Sequence, residues 1–82
     1  MLYPKGTRKG MKELLADHGV TVRGRTQFSC VHYSTFLRWV EDGVQHSAYF
    51  TASCGRPYLS VDGKPIRITM DEIIALGLVE KK

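Results

Sequence analysis

Two cysteines and two histidines are the side chains of this sequence with the most specific chemistry, and together they match the donor types of a zinc site: Cys30, His32, His46 and Cys54. A tetrahedral zinc site usually takes its ligands in pairs whose members stand about two to five residues apart within a turn. Cys30 and His32 are closer than that, and a predicted strand with its turn separates His46 from Cys54. We therefore predict no metal site and expect both cysteines to be reduced thiols that fill gaps in the core.

The nucleophiles and carboxylates of the chain do not form a recognisable catalytic group. Cys30 beside His32 lacks the third residue that would orient the histidine as a base. Asp71 and Glu72 are adjacent carboxylates, but they fit the first turn of a helix, where the helix dipole favours negative charge. A chain of 82 residues also forms one small core with little room for a buried reaction cavity. We predict a binding protein that has no cofactor and is not an enzyme.

Positive charge is concentrated in the first 25 residues. The chain carries 12 lysines and arginines against 8 acidic residues, a net charge of +4. The basic residues of this front segment outnumber its two acidic ones, Glu13 and Asp17: Lys5, Arg8, Lys9, Lys12, Arg23 and Arg25. Such a cluster favours a polyanionic partner, because neutralising phosphates releases condensed counterions. A basic tail that only solubilises an otherwise balanced domain would have the same composition.

The composition is that of an ordinary soluble domain, with 43% apolar and 24% charged residues. The apolar runs are too short to span a bilayer, and the N-terminal sequence MLYPKGTRKG lacks the apolar segment of a secretory signal. We expect a cytoplasmic protein that does not associate with a membrane.

The front half of the chain has helical patterns at two places. Met11, Leu14, Leu15 and His18 form one stripe of a helix that Thr7 and Gly19 cap at its two ends: the first helix. In the sequence HYSTFLRWVEDG, residues 32 to 43, Phe36, Leu37 and Val40 fall on one arc of a second helix that ends at Gly43. Its opposite arc is polar and consists of Ser34, Thr35 and Arg38.

The segment between these helices, residues 20 to 31, allows two structures. Val20 and Val22 alternate as in a strand, and after a turn at Gly24 the alternation could continue through Phe28 and Cys30 as a hairpin. The alternative, which we prefer, is a short strand at residues 20 to 22, a basic loop, and a helix that begins near Thr26.

The back half predicts strands followed by a helix. Residues 44 to 51 alternate as a strand, PYLSV is a second strand and VDGKPIRI a third, and Asp62-Gly63 makes a hairpin turn between the last two. Pro65 cannot donate a ladder hydrogen bond, which places the third strand at an edge. Thr69 and Glu72 form a capping box for a C-terminal helix that ends at Gly77.

The order of helix, short strand, two helices and hairpin resembles the winged-helix arrangement of the helix-turn-helix class. This resemblance implies an α+β fold in which three to four short helices pack with a two- or three-stranded antiparallel sheet. The 82 residues then make a single domain. Its parts are a flexible N-terminal segment at 1–6, a winged-helix-like DNA-binding unit at 7–61, and a hairpin strand plus C-terminal capping helix at 62–82.

The resemblance also implies a function, namely sequence-specific binding of double-stranded DNA by a transcriptional regulator or architectural factor. The small size of the chain suggests a phage or mobile-element type. Arg38 would pair with a guanine, while Ser34 and Thr35 would reach phosphate or base edges from the recognition helix. The remaining basic candidates would contact the DNA backbone: Lys9, Lys12, Arg23, Arg25 and Arg56. A homodimer is plausible because winged-helix proteins often read palindromic sites.

Two other functions fit the same residues. The alternative to DNA binding is a protein-protein interaction module or inhibitor that binds a protein target through a sheet edge or an aromatic patch. The chain is also consistent with a binder of single-stranded nucleic acid that stacks bases on aromatic side chains of its sheet. The candidates for such stacking are Trp39, Tyr49, Phe50 and Tyr58.

Overall fold

A computed structural model describes residues 2–4, 6–31, 34–52 and 55–81, and it describes side chains for all of these except 2–4, 80 and 81. The elements follow one another as β1 (Leu2–Pro4), α1 (Arg8–Asp17), β2 (Thr26–Val31), β3 (Ser34–Glu41), β4 (Val44–Thr51), β5 (Tyr58–Val61), β6 (Lys64–Ile66), α2 (Met70–Ala75) and β7 (Val79–Lys81). Strands β2 to β6 form one antiparallel sheet in chain order, and β1 pairs with β7 in a separate two-stranded sheet. The main sheet is therefore a meander in which each strand lies beside the next.

Two tight turns set the register of this meander. Asp42 and Gly43 connect β3 to β4, and Asp62 and Gly63 connect β5 to β6. All four residues have positive φ, with values of 51° and 77° in the first turn and 52° and 82° in the second. Two successive residues of this kind make a hairpin turn whose twist matches that of the flanking strands. The hairpin predicted at Asp62-Gly63 and the edge position of Pro65 in β6 are confirmed.

Both helices form where their caps predict. The Thr7 hydroxyl accepts a hydrogen bond from the backbone N–H of Gly10 at 2.9 Å, and the chain leaves α1 at Gly19 with φ of 83°. In α2 the capping box is complete, because Thr69 and Glu72 each accept the other's backbone N–H. The predicted first and C-terminal helices are thus confirmed.

The core lies on one face of the main sheet. Alternate side chains of β3, β4 and β5 point to this face and are almost fully buried: Leu37, Trp39, Ala48, Phe50 and Leu59. The apolar stripe of α1 and Ile73 of α2 belong to the same buried cluster. Both helices therefore cover one face of the sheet, and neither of them packs on the other face.

The predicted winged-helix fold is wrong. The described residues contain two short helices and a five-stranded sheet, in place of three to four helices and two or three strands. The main error is at residues 34 to 41, which form β3. Thr35, Leu37 and Trp39 are buried there while Arg38 and Val40 are exposed, a period of two. A short apolar run fits helical and strand periods about equally well, and the aromatic and β-branched residues of β3 favour the strand.

The helix predicted from Thr26 is also wrong, since residues 26 to 31 form β2 and pair with β3 along their whole length. The hairpin alternative is partly right, because Phe28 and Cys30 do lie on a strand, whereas Val20 and Val22 do not. Residues 2 to 4, which the sequence assigns to a flexible segment, form β1 and pair with β7.

Candidate functional site

Among the described residues, one face of the main sheet is not covered by α1 or α2. We call it the open face. Its side chains follow from the alternation along each strand and from the cross-strand pairs: Gln27, Ser29, Val31, Ser34, Phe36, Arg38, Val40, Gln45, Ser47, Tyr49, Thr51, Tyr58, Ser60 and Pro65. None of these residues is acidic, so the open face combines neutral polar groups and apolar groups with one arginine.

A row of three aromatic rings crosses the open face from β3 to β5. We call Phe36, Tyr49 and Tyr58 the aromatic tract. The ring centroids of Phe36 and Tyr49 are 5.1 Å apart, and those of Tyr49 and Tyr58 are 6.0 Å apart with planes at 62°. The Tyr49 hydroxyl shares a hydrogen bond of 3.1 Å with the Ser34 hydroxyl, which restrains the central ring. Tyr58 is 43% exposed, so part of the tract is accessible to planar ligands.

A depression lies at the end of the open face near the β3–β4 turn. It encloses about 560 Å³, and its lining includes Arg25, Gln27, Arg38 and Gln45. Among the described residues no carboxylate forms an ion pair with Arg25 or Arg38. Two neighbouring arginines that are not paired with a described carboxylate form a site suited to an anion such as phosphate.

The depression and the aromatic tract are neighbours. Arg38 lies two residues beyond Phe36 on β3, so the two side chains share a face at a separation of about 7 Å along the strand. At the other end of the open face, Arg56 is exposed and stands two residues before Tyr58. Arg25 and Arg38 thus lie beside the aromatic tract, and Arg56 is an exposed residue of the segment that leads into β5.

The structure brings some of the predicted site residues together. Ser34 and Arg38 lie on the open face, Arg25 lines the depression, and Arg23 is exposed in the segment that leads to β2. In contrast, Lys9 and Lys12 lie on α1, on the far side of the sheet from Arg38.

Thr35, unlike the other predicted contact residues, is buried. Its side chain is fully buried on the helix-covered face, where a Cβ at Gly6 would overlap it. Thr35 therefore has no surface to offer to a ligand, and its role is to pack the segment before α1 against the sheet.

The aromatic residues are distributed differently from the prediction. Tyr49 and Tyr58 do lie on the sheet surface, but Trp39 and Phe50 are 3% and 0% exposed and belong to the core. Phe36, which the helical pattern places in the core, lies on the open face instead. A period-two assignment of residues 34 to 41 would have identified Phe36, because it then shares a face with Arg38 and opposes Tyr49.

The histidine and cysteine set considered for zinc lies only partly within the described residues. His32 and Cys54 fall outside them. His46 pairs with Asp62 through a contact of 2.8 Å between Nδ1 and Oδ2, and Cys30 is an exposed thiol on β2. Within the ranges that the structure describes, no group of three or more potential metal ligands converges.

Neither α1 nor α2, the helices of the described ranges, combines the length and apolar character that a bilayer-spanning helix requires.

Comparison of the chain with protein-family models, with curated proteins and with solved structures gave no match in any of the three. The fold defines a general class, a small antiparallel-sheet domain in which the described helices pack on one face of the sheet.

Proposed function

We propose that this protein binds single-stranded nucleic acid on the open face of its sheet. The observation that carries this proposal is the aromatic tract, three rings side by side on a face whose described strand residues include no acidic side chain. Unpaired bases stack on such rings, and each stacked base contributes about 1–3 kcal/mol. Any base has a flat face to stack, so binding of this kind tolerates many sequences.

The arginines around the tract support a path for the phosphate backbone. Arg25 and Arg38 line the depression at one end, and Arg56 is exposed near the other. Contacts with about three phosphates would make the logarithm of the binding constant fall with the logarithm of salt concentration at a slope of about −2. The net charge of +4 attracts a polyanion to the whole molecule as well.

Double-stranded DNA is less compatible with this surface. The hypothesis of duplex reading required Ser34, Thr35 and Arg38 on a recognition helix, and they lie on a strand in which Thr35 is buried. Five strands spaced about 4.8 Å apart are about 19 Å wide, whereas the major groove is about 12 Å wide and admits a helix or a two-stranded ribbon. Single strands have no groove to enter and can lie flat on the sheet.

Fluorescence anisotropy with a labelled oligothymidine and a labelled duplex tests the proposal. At low salt we expect the single strand to bind at least tenfold more tightly than the duplex. Tyr58→Leu keeps an apolar side chain but removes the ring, and it should weaken single-strand binding about tenfold. The matched control is Ile74→Ala, which removes an exposed apolar side chain from the helix side of the molecule. Ile74 is 51% exposed in the wild type, and its replacement should leave the affinity for the single strand unchanged.

Charge is tested separately in the same assay. Arg38→Ala should weaken binding and reduce the salt slope by about 0.7, the contribution of one phosphate contact on a single strand. Lys9→Ala removes the same charge from the opposite side of the molecule and should leave the slope unchanged. Absence of binding to either oligonucleotide at low salt would overturn the proposal and favour a protein ligand for the aromatic tract.

A further inference from the structure

The two edges of the main sheet differ in how they are protected against pairing with another strand. The edge strand β6 has three residues, and it contains Lys64 and Pro65. Short length, a lysine and a proline are the features with which natural sheets block further pairing. The opposite edge strand, β2, has six residues with the sequence TQFSCV, which includes no charge and no proline.

The β2 edge is accessible. Four of its six residues are exposed, among them Cys30 and Val31, and the exposed fraction of Val31 is 54%. Among the described strands, β2 pairs with β3 alone. A long, neutral and uncovered edge carries a row of unpaired backbone donors and acceptors, and such an edge is a template for another strand.

We propose that β2 pairs antiparallel with β2 of a second copy of this chain, which joins two five-stranded sheets into one of ten strands. A second copy fits because it presents a strand of the same length that is also uncharged and open on one side. The antiparallel arrangement also keeps the nearby charges apart. It places the two Arg25 residues at opposite ends of the interface, about 25 Å from each other along the strands.

The alternation of the sheet restricts the register of this pairing. Residues that oppose each other must lie on the same face, so Phe28 can oppose Cys30 or Phe28 of the second copy but not Ser29. The register that centres on Ser29 opposes Val31 to Gln27 and so covers the exposed apolar residue of β2. In that register the two Ser29 side chains are direct neighbours on the open face. The two aromatic tracts then lie on one continuous surface.

Sedimentation equilibrium tests the dimer independently of nucleic acid. At tens of micromolar we expect the wild type to have twice the mass of one chain. Ser29→Lys places two like charges opposite each other at the centre of the interface, and it should weaken dimerisation about fivefold or more. Ser47→Lys makes the same change at an exposed position of the open face that lies on β4, and it should remain dimeric.

Disulfide trapping tests the register. In a Cys30→Ser/Cys54→Ser background, Ser29→Cys should form a covalent dimer on treatment with diamide, because opposed Cβ atoms stand about 4.5–5.5 Å apart. Ser47→Cys in the same background should stay monomeric on a non-reducing gel. A monomeric wild type, or a dimer that Ser29→Lys and Ser47→Lys affect equally, would overturn the proposal. Loss of dimerisation in Ser29→Lys supports the interface whether or not that variant still binds single strands, and a monomeric wild type that binds single strands would overturn the dimer while leaving the proposed function in place.

Discussion

Asp62 is the residue that ties the β5–β6 turn to β4. Its carboxylate accepts hydrogen bonds from the Ser47 backbone N–H at 3.0 Å and from His46 Nδ1 at 2.8 Å, and its own N–H donates to the Ser47 carbonyl at 2.9 Å. The hydrogen bond from His46, followed by that from Ser47, lowers the pKa of Asp62 below its ordinary value of 3.8. The turn therefore depends on the charged form of this side chain.

Asp62→Asn should lower stability in a pH-dependent way. A carboxylate whose pKa is depressed on folding stabilises the folded state above its unfolded pKa, and this stabilisation is lost as the pH falls through the folded pKa. At pH 7 we expect the variant's free energy of unfolding to be lower than that of the wild type by about 1 kcal/mol or less, because the Asp62 side chain is exposed. Below pH 3.8 this difference should be smaller. Asparagine also tolerates the positive φ of this position, so backbone strain is matched. Thermal unfolding of both proteins measures this difference in stability. An equal difference at pH 7 and at pH 2.5 would contradict a stabilising role for the charged form of Asp62.

Among the elements, the C-terminal half of the sheet and both helices could be predicted from sequence because their signals are local. A hairpin turn at Asp62-Gly63, a proline in an edge strand and a capping box each act within a few residues. The pairing of β2 with β3 depends instead on contacts across the sheet. The short apolar run of β3 fits a helix and a strand alike until the burial of alternate residues by α1 and α2 decides between them.

Of the candidate site, the residues with local sequence signals could be predicted, as with the elements of the fold. Tyr49 and Tyr58 follow from the strands of the back half, and Arg38 stands out because of its charge. Phe36 and the burial of Thr35 depend on the period assigned to β3, so the wrong period misplaces both residues. No local pattern indicates that α1 covers one face of the sheet and thereby places Lys9 and Lys12 away from Arg38.

The helix α2 is short, and its cap should contribute much of its stability. It has six residues, its capping box is complete, and Glu72 also pairs with His18 of the first helix's C-terminal cap at 3.0 Å. Thr69→Ala removes the acceptor for the Glu72 N–H and should cost about 1 kcal/mol. Asp71→Ala changes a neighbouring first-turn residue outside the box and should cost only about 0.3–0.5 kcal/mol. Urea unfolding of both variants provides the comparison, and equal losses would contradict a specific role for the cap.

For the molecule as a whole, the division into a covered face and an open face organises both stability and the proposed binding. The core needs one face of the sheet, so the aromatic residues of the other face are not required for burial against the helices. Their alignment across three strands, beside the depression that Arg25 and Arg38 line, is what the proposal of single-strand binding explains. Pairing of two copies through β2 would extend this same surface.

A titration of the ¹⁵N-labelled protein with unlabelled oligothymidine, followed by amide chemical shifts, tests the central claim most directly. We expect the largest changes on β3, β4 and β5, at Phe36, Arg38, Tyr49 and Tyr58, while the amides of α1 stay in place. Changes that concentrate on α1 around Lys9 and Lys12, or no changes at low salt, would contradict the claim that the open face binds single strands.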